Sequence, residues 1–183
     1  RRLTLIRHAV TDWNLAGRFQ GVADVPLNDE GRRQARRLER YVAGLEDDAK
    51  VYASPLIRAV ETARLAFPGR DLRLDERLQE LNFGRFEGKT QAENQADPAW
   101  DVWMTDPYEL APPGGESYSQ LRERAAEWMR EWLPTGLLTS IRIALDFAEV
   151  GVHDIVTTRA DGLVLGRLLR RRAFLLRCVD LLA

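Results

Sequence analysis

The sequence predicts a three-layer α/β domain, with a mostly parallel central sheet and helices on both faces. Three observations predict it. Leu3, Leu5 and Ile6 form an apolar run of strand length, suited to a buried parallel strand, that stops abruptly at Arg7-His8. From Asp29 onward apolar residues recur at helical spacing. Val51-Tyr52-Ala53 then reads as a second short strand, followed at once by a helix start at Ser54-Pro55. This strand-then-helix order repeats as far as residue 66. The 183 residues suffice for one domain with a full core, and residues 1–183 are read as one.

The totals exclude several classes of function. A formal net charge of −1 gives no bulk attraction to nucleic acid or to an anionic membrane, so neither is expected as a partner. The single cysteine, Cys178, rules out an internal disulfide framework and fits a reducing compartment. It lies in an apolar tail segment and reads as a small core residue. No apolar run is long enough to span a membrane, and no charged-then-apolar secretory start is present, so the expected location is cytoplasmic. Two histidines, His8 and His153, are too few for a His-rich metal site, and CxxC, HExxH, P-loop and GxGxxG patterns are absent. Neither a metal nor a cofactor is expected. No pattern speaks to oligomeric state.

Along the chain, Arg7 and His8 sit just past the first strand, where open α/β sheets bind ligands. Thr11, Asn14, Arg18 and Gln20 follow in a short polar loop. Cationic and imidazole groups gathered with neutral donors suit a compact multi-oxygen anion such as phosphate. Asn28 is a good N-cap for the helix from Asp29, whose apolar face carries Ala35, Leu38, Val42 and Leu45, with Gly44 as a stop. Its five arginines are interleaved with Glu30, Glu39 and Glu46 and read as a solvated face rather than a nucleic-acid patch.

Ser54 as cap and Pro55 at the first helical position put Arg58 near the positive end of the next helix. It is either an exposed helix arginine or a second phosphate-binding element at a strand's carboxyl edge. Leu72 to Leu78 reads as a third strand. Glu80 is flanked by apolar Leu78, Leu81 and Phe83; it is either a solvent-facing residue or a desolvated carboxyl with the raised pKa of a general acid.

Residues 90–113 look irregular and proline-rich, a lid-like insertion over the sheet's active edge. Trp100, Trp103 and Tyr108 within it either line a pocket or form a satellite core. Ser117 with Gln120 is a capping box opening a helix with Leu121, Ala125, Trp128 and Trp132 on one face. Beyond residue 135, the alternation of Ile141, Ile143, Leu145 and Phe147 reads as a half-exposed strand, not a central one. Val150 to Val152 then ends a strand before His153, and Leu163 to Leu169 is the following helix, with Arg167 and Arg170 to Arg172 on its solvated face.

LIRHAVTDWN resembles the signature of the histidine phosphatase (phosphoglycerate mutase-like) superfamily, with Ala9 in place of the usual Gly. Ser54, Arg58, Thr62 and Ala63 resemble that family's second motif. Residues 78–88 resemble its third, and GGES at 114–117 followed by Arg124 resembles its small phosphatases. The resemblance runs to about residue 135 and then breaks, because no Ser-His-Gly or Thr-His-Gly follows. His153 is the sole candidate for the second histidine.

The resemblance implies phosphomonoester hydrolysis on a small phosphorylated metabolite through a phosphohistidine. His8 is then the nucleophile and Glu80 the proton donor, with Arg7, Arg58, Asn14 and Gln20 binding the phosphoryl group and His153 completing the anion hole. Such a His8 must be neutral, with a backbone carbonyl holding one ring N–H. Two other readings stand: a phosphoglycerate mutase, and a catalytically impaired phosphate-binding member lacking the second histidine motif.

Overall fold

A computed structural model of the chain describes residues 2–43, 50–132, 140–145, 153–159 and 162–168, with side chains over 5–43 and 50–131. Strands β1 (Arg2–Arg7), β2 (Lys50–Ala53), β3 (Leu72–Leu74) and β4 (Ser140–Leu145) form one parallel sheet in the order β1-β4-β2-β3. The carboxyl ends of β1 and β2 therefore flank the end of β4: Arg7 is in register with Leu145, and Ala53 with Ala144. Neighbouring strands lie about 4.8 Å apart, so residues leaving β1 and β2 begin about 10 Å from one another.

Helices α1 (Asp12–Leu15), α2 (Asp29–Val42) and α3 (Ile57–Ala66) follow the first two strands. Asn28 caps α2 as expected, its Oδ1 accepting from the Gly31 N–H at 2.8 Å. Gly44, Leu45 and Glu46 lie outside the described residues. In α3 the expected cap is displaced. The helix begins at Ile57 with Leu56 as N-cap and no cap bond from its own side chain. Ser54 Oγ instead accepts from the Leu56 N–H at 3.3 Å within the preceding turn. Asp24, from a distant loop, accepts from the Ile57 N–H at 2.7 Å. An anionic acceptor at the helix's positive end does what a local cap would do.

Between the third strand and α6 (Tyr118–Trp132) two expectations are revised and one alternative is decided. The strand stops at Leu74, because Asp75 Oδ1 accepts from the Arg77 N–H at 3.0 Å and starts a 3₁₀ turn over Glu76–Leu78. Residues 90–113 are irregular only from 106 onward: before that, α4 (Gln91–Gln95) opens on a Thr90/Glu93 capping box, and α5 (Pro98–Thr105) on Asp97 with Pro98 in its first turn. Trp100 and Trp103 are buried with Leu81, Phe83, Phe86 and Leu121, which decides for core over pocket lining. The Ser117/Gln120 capping box of α6 is present. Trp132's side chain is outside the described set.

The last segment departs furthest. The strand at 141–145 is central, hydrogen-bonded on both sides to β1 and β2. Alternation reports which way side chains face; whether a strand is central is set by distant backbone partners. Leu163 to Leu168 is not a helix but β6 (Gly162–Leu168), paired antiparallel with β5 (His153–Arg159) in a separate two-stranded sheet. Ile155 to Thr158 are β-branched, and Asp161-Gly162 precedes the second run, a hairpin signal that outweighs its leucines. Phe147, Val150 to Val152, Leu169, Arg170 to Arg172 and Cys178 lie outside the described residues. No helix among the described residues is long and apolar enough to cross a membrane.

Val51 packs with Ala66 and Phe67, and with Ile6, Leu38 and Val42. The next residue, Tyr52, meets Trp128 of α6 edge-on at 5.2 Å. Period-two alternation sends these neighbours to opposite faces of the sheet.

Candidate active site

His8 follows β1 directly and is buried. Its Nδ1 lies 2.6 Å from the carbonyl oxygen of Ala9. A carbonyl only accepts, so Nδ1 carries the proton and a neutral ring has its lone pair on Nε2. That is the tautomer a nitrogen nucleophile requires, held by the backbone carbonyl that the chemistry calls for. Ala9 is 6 % exposed, and its N–H donates to Thr62 Oγ1 at 2.9 Å. Thr62 in turn donates to the Arg58 carbonyl at 2.7 Å. One hydroxyl thus ties the His8 loop to the first turn of α3.

Arg58 is completely buried, which rules out the exposed helix arginine. Its guanidinium donates to the carbonyls of Gly21 and Ala23 at 2.5 and 2.6 Å. Arg7, the last residue of β1, is half-buried. The loop between α1 and α2 is fixed from three sides: by Arg58, by the bond of its own Asp24 to the Ile57 N–H at the start of α3, and by Glu87. The Glu87 carboxylate accepts from the N–H groups of Val22 at 2.9 Å, Ala23 at 2.8 Å and Phe83 at 3.1 Å. Burial raises the Glu87 pKa, opposed by those three backbone bonds and the Arg58 charge.

Thr11, Asn14 and Gln20 form one polar knot. Thr11 is the N-cap of α1, and Asn14 Oδ1 accepts from the Thr11 N–H at 3.0 Å and lies 3.1 Å from the Thr11 hydroxyl oxygen. Gln20 Oε1 accepts from the same hydroxyl at 2.6 Å. Both side-chain oxygens face Thr11, so each amide presents its NH₂ group as the outward donor, the polarity an anion needs. Arg18 does not join them. It turns to α4, donating to the Gly88 carbonyl at 2.6 Å and pairing with Glu93 at 3.0 Å.

Glu80 is 3 % exposed, so it is not a solvent-facing residue. Its Oε1 accepts from the Leu81 N–H at 2.7 Å. The Tyr118 phenol beside it is pushed up strongly, first by burial and then by the Glu80 charge. The Leu81 carbonyl abuts Gly21, and Glu87 binds both Phe83 and the 22–23 loop. Glu80 therefore belongs to the same packed assembly as Arg58. His153 is the first residue of β5, in the two-stranded sheet formed with β6.

Asp24 is the residue that sequence reasoning missed, whereas Thr62 and Glu87 fall within the motifs at 54–63 and 78–88. Thr62 stands four residues after Arg58, one helical turn on, and that spacing is the one local signal.

The family model of the histidine phosphatase superfamily (branch 1) matches residues 3–163. An acid phosphatase of Mycobacterium tuberculosis is 37 % identical over 129 residues, covering 68 % of this chain and 59 % of its own length. A 2,3-bisphosphoglycerate-dependent phosphoglycerate mutase of Lactobacillus johnsonii is 35 % identical over 136 residues, 67 % of this chain and 58 % of the mutase. The chain thus matches under two thirds of either relative's length. The crystal structure of the α-ribazole phosphatase from Shigella flexneri superposes with a TM-score of 0.74 at 27 % identity, covering 80 % of this chain and 74 % of that one. With a buried, carbonyl-held histidine at the end of the first strand and a model match over most of its length, the chain belongs to the histidine phosphatase superfamily, branch 1.

Proposed function

We propose that this chain is a phosphomonoesterase that acts on a small phosphorylated metabolite through a phosphohistidine. The observation that carries the reading is the Nδ1–H bond of His8 to the Ala9 carbonyl, which leaves the lone pair on Nε2. Nε2 attacks phosphorus and the bond to the leaving oxygen breaks. Glu80 gives that oxygen a proton, then takes one from the water that attacks the phosphohistidine, and inorganic phosphate departs. Arg7 and Arg58 bind the equatorial oxygens, where charge accumulates in a loose transition state. Asn14 and Gln20 add neutral donors. The arginines supply the positive charge that a metal would otherwise bring. Turnover of an aryl phosphate in excess chelator tests this. It should survive chelation and be lost in His8→Ala; abolition by chelator, or an unchanged His8→Ala, overturns it.

His153 enters as the second imidazole of the anion hole, supported by its being the second histidine of the chain. His153→Ala should then cost about a hundredfold in kcat, the usual loss on removing one preorganised donor. A loss below threefold removes it from the site. Its position in a separate two-stranded sheet favours the alternative, an impaired phosphate-binding member. The mutase identity at 35 % favours a third reading, tested by phosphoglycerate isomerisation.

We also infer a single three-layer domain with cytoplasmic residence and a lid role for 90–113. The strand order supports this reading: with the right-handed crossovers that parallel strands favour, α2 and α3 share one face and α6 takes the other.

A further inference from the structure

We infer that Arg124, held by Glu116, is the positioning residue for the Glu80 proton donor; this rests on the role proposed for Glu80. The segment from Arg77 to Asn82 carries Glu80 but leaves the 3₁₀ turn at Leu78 and enters no strand, so its carbonyls lack a ladder. Arg124 takes the place of one. From α6 its Nη1 donates to the carbonyls of Arg77 at 2.9 Å and Gln79 at 2.7 Å, and its Nη2 to that of Glu80 at 2.9 Å.

The same guanidinium is gripped at its other edge by Glu116. Nε donates to Oε2 at 3.1 Å and Nη2 to Oε1. Glu116 also holds the far side of the segment: Oε1 accepts from the Asn82 N–H at 3.1 Å, and the Glu116 N–H donates to the Asn82 carbonyl at 2.9 Å. Bonds on both flanks of Glu80 thus converge on one ion pair, only about a fifth exposed on each side. A planar fork with five donors spans three carbonyls and a carboxylate together; an ammonium with three donors does not.

A general acid matters most when the leaving group is a poor one, so displacement of Glu80 has a signature that global damage lacks. The test compares kcat/KM on an alkyl phosphate and on 2,4-dinitrophenyl phosphate, whose phenolate leaves without a proton. The proteins are wild type, Glu80→Gln, Arg124→Lys and Glu116→Gln, with melting temperatures alongside. Glu80→Gln should lose about 10²- to 10⁴-fold on the alkyl ester and much less on the activated one. Arg124→Lys and Glu116→Gln should show the same asymmetry at about ten- to a hundredfold, the scale of a small misplacement.

If Glu80→Gln is asymmetric but Arg124→Lys and Glu116→Gln lose equally on both esters, or lose nothing, the positioning role is overturned while Glu80 stands. If Glu80→Gln itself loses equally on both, or if the wild-type chain turns over neither ester, the underlying reading fails.

Discussion

At the scale of single residues, the site is a set of short bonds between groups distant in sequence. Thr62 links Ala9 to Arg58 through one hydroxyl. Thr62→Val keeps the volume but leaves a buried N–H and a carbonyl without that partner, costing about 1–3 kcal/mol, while Thr62→Ser should restore most of it. Denaturant unfolding checks both, and a neutral Thr62→Val contradicts the linkage. Glu87 gives a pH dependence. Burial raises its folded pKa, so the folded state binds the proton more tightly than the unfolded chain. Its contribution to stability is therefore greatest below the ordinary carboxylate range and falls as pH rises through the raised value. The stability difference between wild type and Glu87→Gln should narrow over that interval; a gap that widens there contradicts the burial of the charge. Roles made locally are legible in the sequence. Thr11 and Asn14 stand three apart in a capping box, and His8 ends an apolar run. Arg124 is not legible as a clamp, because its carbonyl acceptors lie 44 to 47 residues away.

At the scale of elements, α2 shows packing overruling propensity. Gly31 is buried in its first turn, where a Cβ would overlap the Val10 carbonyl. Elsewhere in a helix, Gly→Ala stabilises by about 1 kcal/mol. Here Gly31→Ala should destabilise and lower kcat, since Val10 is two residues from His8; a stabilised variant would show that α2 has room to shift. The helices α2 and α6 are legible because cap and apolar spacing agree along a dozen or more residues. The start of α3 is not, because its anionic cap is Asp24, 33 residues away. The two helices of 90–113 are hidden by proline content, although Pro98 after Asp97 is itself a start signal.

At the scale of the whole molecule, a parallel sheet gathers the ends of β1 and β2 beside β4. The strand-then-helix rhythm makes the fold class legible to residue 66. Strand order is not, because β4 inserts between two strands that precede it, a long-range choice no local pattern records. The family match places the chain in the histidine phosphatase superfamily, branch 1. The most direct measurement is rapid quench, in base, of the full chain turning over a phosphate ester labelled with radioactive phosphorus, followed by peptide mapping. Label should appear on the peptide containing His8 and be absent from His8→Asn. Turnover with no label on that peptide, or label persisting in His8→Asn, contradicts phosphoryl transfer to this imidazole.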